Sequence, residues 1–278
     1  MNVKNSVEDV VFVKEYIKVT TDCFNRGWNE RNGGNLTYRL SESDFDAFKP
    51  FIKNDEKRTY DLGVTLANLA NEYFFVTGSG KFFRNVCLDV EGNCGLIQMD
   101  NTGSKYTILW GLTHGAMPTS ELPSHLMSHS MKKEITHGKN RVILHSHTTN
   151  TIALTFVLPL KTEVFTKEIW EMITECPIIF PTGIGIVEWM TPGGIEIGKK
   201  TRDMMAKHDV VVWAHHGMFC SGETLDLAFG LMDTVEKAAE ILVKVIAMGG
   251  KKQSISYDNF KAIEQAFKVG IDFKYLEK

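Results

Sequence analysis

The sequence has no excess of positive charge: 31 Lys and Arg stand against 34 Asp and Glu, for a net charge of −3, and no basic block occurs. This excludes the electrostatic footprint of a nucleic-acid-binding protein. No apolar run is long enough to cross a bilayer. The longest uncharged stretch, between Arg141 and Lys161, contains two His, Ser146, Asn150 and four Thr, and is too polar for a span. The opening residues, MNVKNSVEDVVFVKEY, break up their apolar positions with charges and lack the hydrophobic region of a signal peptide. The five cysteines, Cys23, Cys87, Cys94, Cys176 and Cys220, are odd in number and never fall in CxxC spacing. That argues against a disulfide framework or a thiolate zinc site, and the expectation is reduced thiols in a cytoplasmic protein. GxxxxGK[ST] and GxGxxG are both absent, so there is neither a P-loop nor a dinucleotide fingerprint, and no internal repeat is found.

What is present is an ordinary globular composition, 43% hydrophobic and 23% charged over 278 residues, enough to bury a large core. Val10, Val13, Ile17 and Phe24 follow a helical period after Ser6, with Asp9 three positions on as a cap signature and Gly27 beyond the stripe. GNLTYRL alternates as a strand, and YFFVTGSG is an apolar strand running into glycine. CLDVEG and CGLIQMD read as two strands joined at Gly92-Asn93, with YTILW after the turn at 101–103. TSELPSHLMSHSMKKE reads as a helix with Ser120 near its start. RVILHSH, CPIIF, GIGIVEW and VVVWAHHG read as later strands. Helical segments near KEIWEM and EIGKKTRDMMAKH lie between them, and a long helix covers 225–248. The segment 48–62 reads as a polar insertion rather than a domain boundary. The expectation is one α/β domain over 1–278, a central, largely antiparallel sheet covered by helices on both faces, with an N-terminal helical extension and a polar insertion near 41–71.

RVILHSH puts His145 and His147 two positions apart, so that in a strand both rings leave the same face. Alone, the HxH spacing is weak evidence for a metal. His216, where the apolar run VVVWAHHG meets Gly217, supplies a third imidazole, and three imidazoles with an open fourth position describe a catalytic zinc site. His215 is the rival for that third place. His114, His125, His129, His137 and His208 read as packing or surface residues.

Two glycine-containing loops, RNGGNL (31–36) and TGSGKFF (77–83), offer backbone N–H groups, amides and a hydroxyl for close approach of a phosphate. Each alone reads equally well as a tight turn. With Thr119 and Ser120 at a helix start they suggest a small phosphoester as ligand. Glu121 beside them fits either a first-turn glutamate matched to the helix dipole or a functional carboxylate.

The blocks NERNGGNLTYRL, FFVTGSGKFFRNV, ILWGL, PTSELPSHLMSH, RVILHSH, VFTKEIWE, TEC and HGMFCSG follow one another as in the class II aldolases, the family that includes the adducin heads. The chain resembles that family over nearly its whole length, least from Ser41 to Asn71 and after Lys252. The resemblance implies Zn2+ on His145, His147 and His216, one per subunit, and a catalytic glutamate at Glu121. It implies phosphate-contacting positions at Asn32, Gly33, Gly34, Asn35, Ser79, Gly80, Thr119 and Ser120. A second catalytic glutamate, acting from a neighbouring subunit, falls on Glu175, which read alone is a solvated residue before a strand. Ala214-His215 stands where the relatives have proline and an aromatic residue, which keeps the rival ligand open. The activity implied is reversible cleavage of a ketose 1-phosphate to dihydroxyacetone phosphate and an aldehyde. Zinc acts as Lewis acid on the enediolate, Glu121 handles its proton, and no Schiff-base lysine is needed. The insertion and the TSELPSHL context favour L-rhamnulose 1-phosphate, in rhamnose breakdown, over L-fuculose 1-phosphate or a pentulose phosphate. A metal-free adducin-like module and a zinc hydrolase are the readings from other classes. Expected partners are a small sugar phosphate and copies of the chain in a homotetramer with sites near the subunit boundaries, with no nucleic acid and no membrane.

Overall fold

A computed structural model of the chain describes residues 6–52 and 57–276. In chain order the elements are α1 (Val11–Asn25), β1 (Asn35–Arg39), α2 (Glu42–Phe48), β2 (Arg58–Asp61) and β3 (Tyr73–Thr77). Two single turns, α3 (Phe83–Val86) and α4 (Val90–Asn93), precede β4 (Cys94–Met99), β5 (Lys105–Gly111), α5 (Leu122–Ile135) and β6 (Val142–Ser146). Next come α6 (Thr149–Leu154), α7 (Thr162–Trp170), α8 (Glu175–Ile179), β7 (Ile184–Val187), α9 (Ile195–Met205) and β8 (Val210–Trp213). β9 (Gly217–Gly222), α10 (Leu225–Ala247) and α11 (Tyr257–Phe267) complete the fold.

The strands form one nine-stranded sheet in the order β2-β5-β4-β3-β1-β6-β9-β8-β7. Each adjacent pair is antiparallel except β7 with β8. Period-2 alternation divides the sheet's side chains between two cores. Leu36, Phe75, Leu144, Val212 and Cys220 face a large core with Val13, Tyr16 and Val19 of α1 and Met232, Val235 and Leu242 of α10. Phe74, Val76 and Ile97 face the other side, against Leu122, Leu126 and Met127 of α5. Ile143, Val211, Trp213 and Phe219 on that same side meet Ile197 and Met205 of α9. Helices therefore cover both faces of a largely antiparallel sheet, as the alternation of segments implied. Ser6 and Asp9 cap a separate 3-10 turn over 7–9, with the Ser6 N–H donating to the Asp9 carboxylate at 3.2 Å, and not α1 itself, whose N-cap Val10 makes no side-chain cap bond.

Two segments depart from the sequence reading. CLDVEG is not a strand: the Asp89 side chain accepts from Gly92 N at 2.8 Å and caps α4, and the buried Asn93 amide returns to the Asp89 carbonyl. The local Asx hydrogen bond outcompetes an apolar pattern only two residues deep. CPIIF is likewise helical, as α8: only Cys176 and Pro177 of that helix are buried, and Pro177 has no N–H to give to a sheet ladder. Of the 41–71 segment, residues 53–56 lie outside the described residues. Its strand β2 extends the sheet by pairing with β5, so this stretch continues the sheet at its edge.

Placing polar groups under the sheet has a cost that pH exposes. His125 and His129 are fully buried on the α5 side, and burial pushes the His125 imidazole down to about 3 and His129 well below its ordinary value. The unfolded chain takes up these protons near an imidazole value of roughly 6.5, while the folded chain stays neutral. Protonation therefore favours the unfolded state, and this stability is full above the unfolded value and is lost as pH falls through the window between the two. Without added metal, we expect unfolding free energy from urea titrations to drop between pH 7 and pH 5, by about 1.4 kcal/mol per pH unit below 6.5 for each such histidine. A flat profile over that range would contradict neutral burial.

Candidate metal centre

The site is built where the α5-side face of the sheet reaches the end of β6. Pairing of β1 with β6 sets Asn35 opposite His145 and Thr37 opposite Ile143, so that all four side chains share one face. The His145 ring stacks on Phe219 of β9, with centroids 4.2 Å apart, and its Nδ1 donates to the Met218 carbonyl at 3.1 Å. That bond fixes the tautomer and leaves Nε2 as a bare acceptor, fully buried and without a hydrogen-bond partner. An orphaned lone pair at this depth costs free energy unless something supplies positive charge to it.

His147 lies just past the strand, anchored by its N–H to the Trp28 carbonyl at 2.9 Å. Its Nδ1 sits 2.8 Å from the Glu30 carboxylate, which again turns Nε2 toward the centre. His216 comes from the turn joining β8 to β9, where His215 takes the left-handed conformation at φ 60°. The three ring centroids stand 5.0 to 5.4 Å apart, and one nitrogen of each lies within 4.8 Å of the others. Burial lowers the His145 pKa far below the ordinary range and holds His216 at about 4, so both rings present lone pairs. Imidazole nitrogens converging on one point, with carboxylate and carbonyl partners behind them, suit a divalent metal. Among the described residues, no other group of three or more His, Cys, Asp or Glu side chains converges in this way.

Glu121 faces this triad from the N-terminal end of α5. Its Oε2 is 3.5 Å from His145 Nε2, and its Oε1 is 3.8 Å from His216 Nε2. Only 6% exposed, its carboxyl is pushed up by burial and pulled back by the Asn35 amide, which donates to Oε2 at 2.9 Å. A helix-dipole role alone would leave this side chain in solvent.

The three loops adjoin the same corner. Residues 77–80 and 117–120 are joined by the Ser79 N–H to the Met117 carbonyl at 2.8 Å and the Thr119 N–H to the Thr77 carbonyl at 2.9 Å. Ser79, Gly80 and Ser120 are exposed, whereas Thr119 is buried and its hydroxyl accepts from Glu121 N at 3.3 Å. Asn32 is exposed on the 29–34 loop, and Gly33 and Gly34 are partly buried there. A Cβ at Gly33 would lie 2.8 Å from His147 Nδ1; at Gly34, with φ +76°, it would lie 2.0 Å from the Asn29 amide. These glycines give the triad room, and the Gly33 N–H is itself donated to the Glu30 carbonyl at 2.7 Å within the loop. The Asn35 side chain is buried and committed to Glu121 and His125.

His215 points away from the triad: its Nδ1 is 3.0 Å from the Thr155 hydroxyl and its ring packs on Phe156 at 4.2 Å. Glu175 is exposed at the start of α8 and is not brought to the triad within this chain. Glu30 escaped the sequence reading because nothing in its spacing ties it to His147, although it lies within the block NERNGGNL. His125 and His129 read as packing positions; they are buried beneath Asn35.

Comparison with known proteins agrees with this geometry. Residues 14–243 match the family described as Class II Aldolase and Adducin N-terminal domain. The chain is 52% identical over 259 residues to a rhamnulose-1-phosphate aldolase of Mannheimia succiniciproducens, covering 93% of this chain and 94% of that one. It is 51% identical over 264 residues to a rhamnulose-1-phosphate aldolase of Klebsiella pneumoniae, covering 95% of each. Among solved structures, a sugar-phosphate aldolase from Thermotoga maritima superposes with a TM-score of 0.73 at 30% identity, over 87% of this chain and 97% of that one. The protein belongs to the class II aldolase family and is one of its aldehyde-lyases.

Proposed function

We propose that this protein cleaves L-rhamnulose 1-phosphate reversibly to dihydroxyacetone phosphate and L-lactaldehyde, with zinc held by His145, His147 and His216. The observation that carries the reading is the orphaned, buried Nε2 of His145, which converges with two other imidazoles and Glu121 on one point. The sugar is chosen on the 51–52% identity to rhamnulose-1-phosphate aldolases, which spans nearly the whole chain. Bound there, zinc supplies a Lewis acid for the negative charge that develops on the dihydroxyacetone phosphate half.

The chain's own residues account for the rest. Glu121 Oε1, without a hydrogen bond among the described residues, takes or returns the proton at the carbon released by C3–C4 cleavage, while Oε2 is held by Asn35. The loops at 32–34, 79–80 and 119–120 anchor the phosphate, the end of the substrate that does not react, while the buried Asn35 side chain is committed to Glu121 and His125 instead. Glu30 and the Met218 carbonyl hold the His147 and His145 rings in their ligating tautomers.

We further infer that the chain acts as a homotetramer, with Glu175 delivered to the site of a neighbouring copy. Support comes from its exposure away from the triad. Five free thiols, four of them buried, fit a reducing cytoplasm, and among the described residues no helix is long and apolar enough to cross a membrane.

The experiment is to incubate the protein with L-rhamnulose 1-phosphate or L-fuculose 1-phosphate and follow dihydroxyacetone phosphate release with and without a chelator. Rapid release from the first substrate only, abolished by chelation, is expected; equal release from both would remove the sugar assignment. Replacing His145, His147 or His216 by Ala should abolish bound zinc measured by elemental analysis, whereas His215→Ala should retain it. Glu30→Gln should weaken zinc binding about 10–100-fold, the usual cost of removing a partner behind a ligating histidine. Glu121→Gln should keep zinc yet lose about 10²–10⁴-fold in cleavage and in solvent deuterium exchange into dihydroxyacetone phosphate. Near wild-type exchange in that variant would move the proton transfer to another residue.

A further inference from the structure

Behind Glu121 runs a chain of buried polar groups that metal binding and substrate contact leave unexplained. The Asn35 amide nitrogen donates to Glu121 Oε2 at 2.9 Å, and its carbonyl oxygen lies in a short contact with His125 Nε2. His125 Nδ1 is 2.9 Å from the Thr37 hydroxyl, which in turn is 2.8 Å from His129 Nε2. His129 Nδ1 closes the chain, buried and without a partner. Thr37, His125 and His129 are completely buried, and Asn35 is 7% exposed.

The two elements mesh because their periods match. Glu121, His125 and His129 stand four residues apart on one stripe of α5, roughly 6 Å per step, and Asn35 and Thr37 stand two apart on β1, about 6.7 Å per step. Each imidazole can therefore meet one β1 side chain in register. Burial keeps both rings neutral, so each carries one N–H. The proton order then has one solution starting from an ionised Glu121. Asn35 donates to the carboxylate, so its oxygen accepts from His125 Nε2–H. His125 Nδ1 is thereby left to accept the Thr37 hydroxyl proton, and the Thr37 oxygen accepts from His129 Nε2–H.

We propose that Asn35, Thr37, His125 and His129 form a buried positioning relay that fixes the Glu121 carboxylate by Oε2 and leaves Oε1 free to face the substrate. The inference rests on the reading of Glu121 as the residue that moves the substrate proton. Two features set the relay apart from generic polar packing: its bonds run in one direction to one carboxylate oxygen, and its far end is an unsatisfied nitrogen. Apolar residues at 125 and 129 would have packed against Phe74 and Phe219, which already touch the two rings, without that cost. None of the four needs to touch substrate, so they are positioning residues.

The test uses the full-length, zinc-loaded enzyme. Thr37→Val keeps the shape but removes the hydroxyl linking the histidines, and Thr37→Ser restores it. His125→Phe cuts the link to Asn35, and His125→Gln retains an N–H donor. We expect kcat for L-rhamnulose 1-phosphate cleavage to fall 10–100-fold in Thr37→Val and His125→Phe, with KM and zinc content within twofold of wild type. The Ser and Gln variants should recover most of the loss. Independently of turnover, 15N NMR of histidine-labelled protein should show His125 and His129 neutral and protonated at Nε2. The proposal is overturned if Thr37→Val turns over within twofold of wild type while Glu121→Gln is inactive, or if His125 carries its proton at Nδ1. Activity retained by Glu121→Gln would instead overturn the reading of the base, and the relay's role with it, even with the NMR signature intact.

Discussion

The register between β1 and β6 is the constraint on which the rest of the site depends. Asn35 opposite His145 places the amide that holds Glu121 next to the imidazole that Glu121 faces. A slip of one residue would turn His145 to the α1 and α10 side of the sheet, into the apolar core that Leu144 occupies. The register is secured by burial on both faces, because every residue of β6 is buried and neither set of side chains tolerates exchange with the other. The histidine cluster and the core are thus specified by the same pairing.

Around that register the protein spends polar groups where an ordinary core would be apolar. His145, Glu121, Asn35, Thr37, His125 and His129 are all buried on the α5 side of the central strands; Glu121, Asn35, His125, Thr37 and His129 are linked in sequence, while His145 Nε2 stays without a partner. Left unpaired, each would be destabilising; connected, they form a network whose two ends are a carboxylate oxygen and an orphaned nitrogen. The histidines of the candidate metal centre are similarly backed, His145 by a strand carbonyl and His147 by the Glu30 carboxylate, so their rings are held in place by the fold itself. Such preorganisation suits electrostatic catalysis, in which the reorganisation cost is met by folding.

The glycine loops show how local sequence signals can serve two demands at once. Gly33 and Gly34 read as places where a phosphate could approach the backbone, and in the fold they also leave His147 and Asn29 the space that a Cβ at either position would fill. Both demands select glycine, so the residue type alone does not reveal which is at work. The pairing of residues 77–80 with 117–120 has the same character: two turns that look independent in the chain are tied by main-chain hydrogen bonds into one ledge beside Glu121.

The sequence by itself determined much of this protein. Period-2 runs such as RVILHSH and YFFVTGSG specify sheet strands, and the 3.6-residue stripes at 11–25 and 225–247 specify the helices that cover one face. The HxH pair and the block HGMFCSG contain the three histidines that converge in the fold. Two short segments, CLDVEG and CPIIF, are helical despite their apolar composition, because a side-chain cap decides the first and a proline without an N–H for a ladder sits in the second. What only the tertiary structure decided are the partnerships between residues far apart in the chain. Glu30 with His147 spans 117 positions and Asn35 with His125 spans 90, and nothing in the chain's local periodicity encodes either pair. His215 and His216 show the same division within two residues: equal as letters, they are separated by a left-handed turn that sends one ring to Thr155 and the other to the metal centre. Hydrogen bonds of this kind depend on where strands pair and helices cross, and that is settled by packing over the whole sheet.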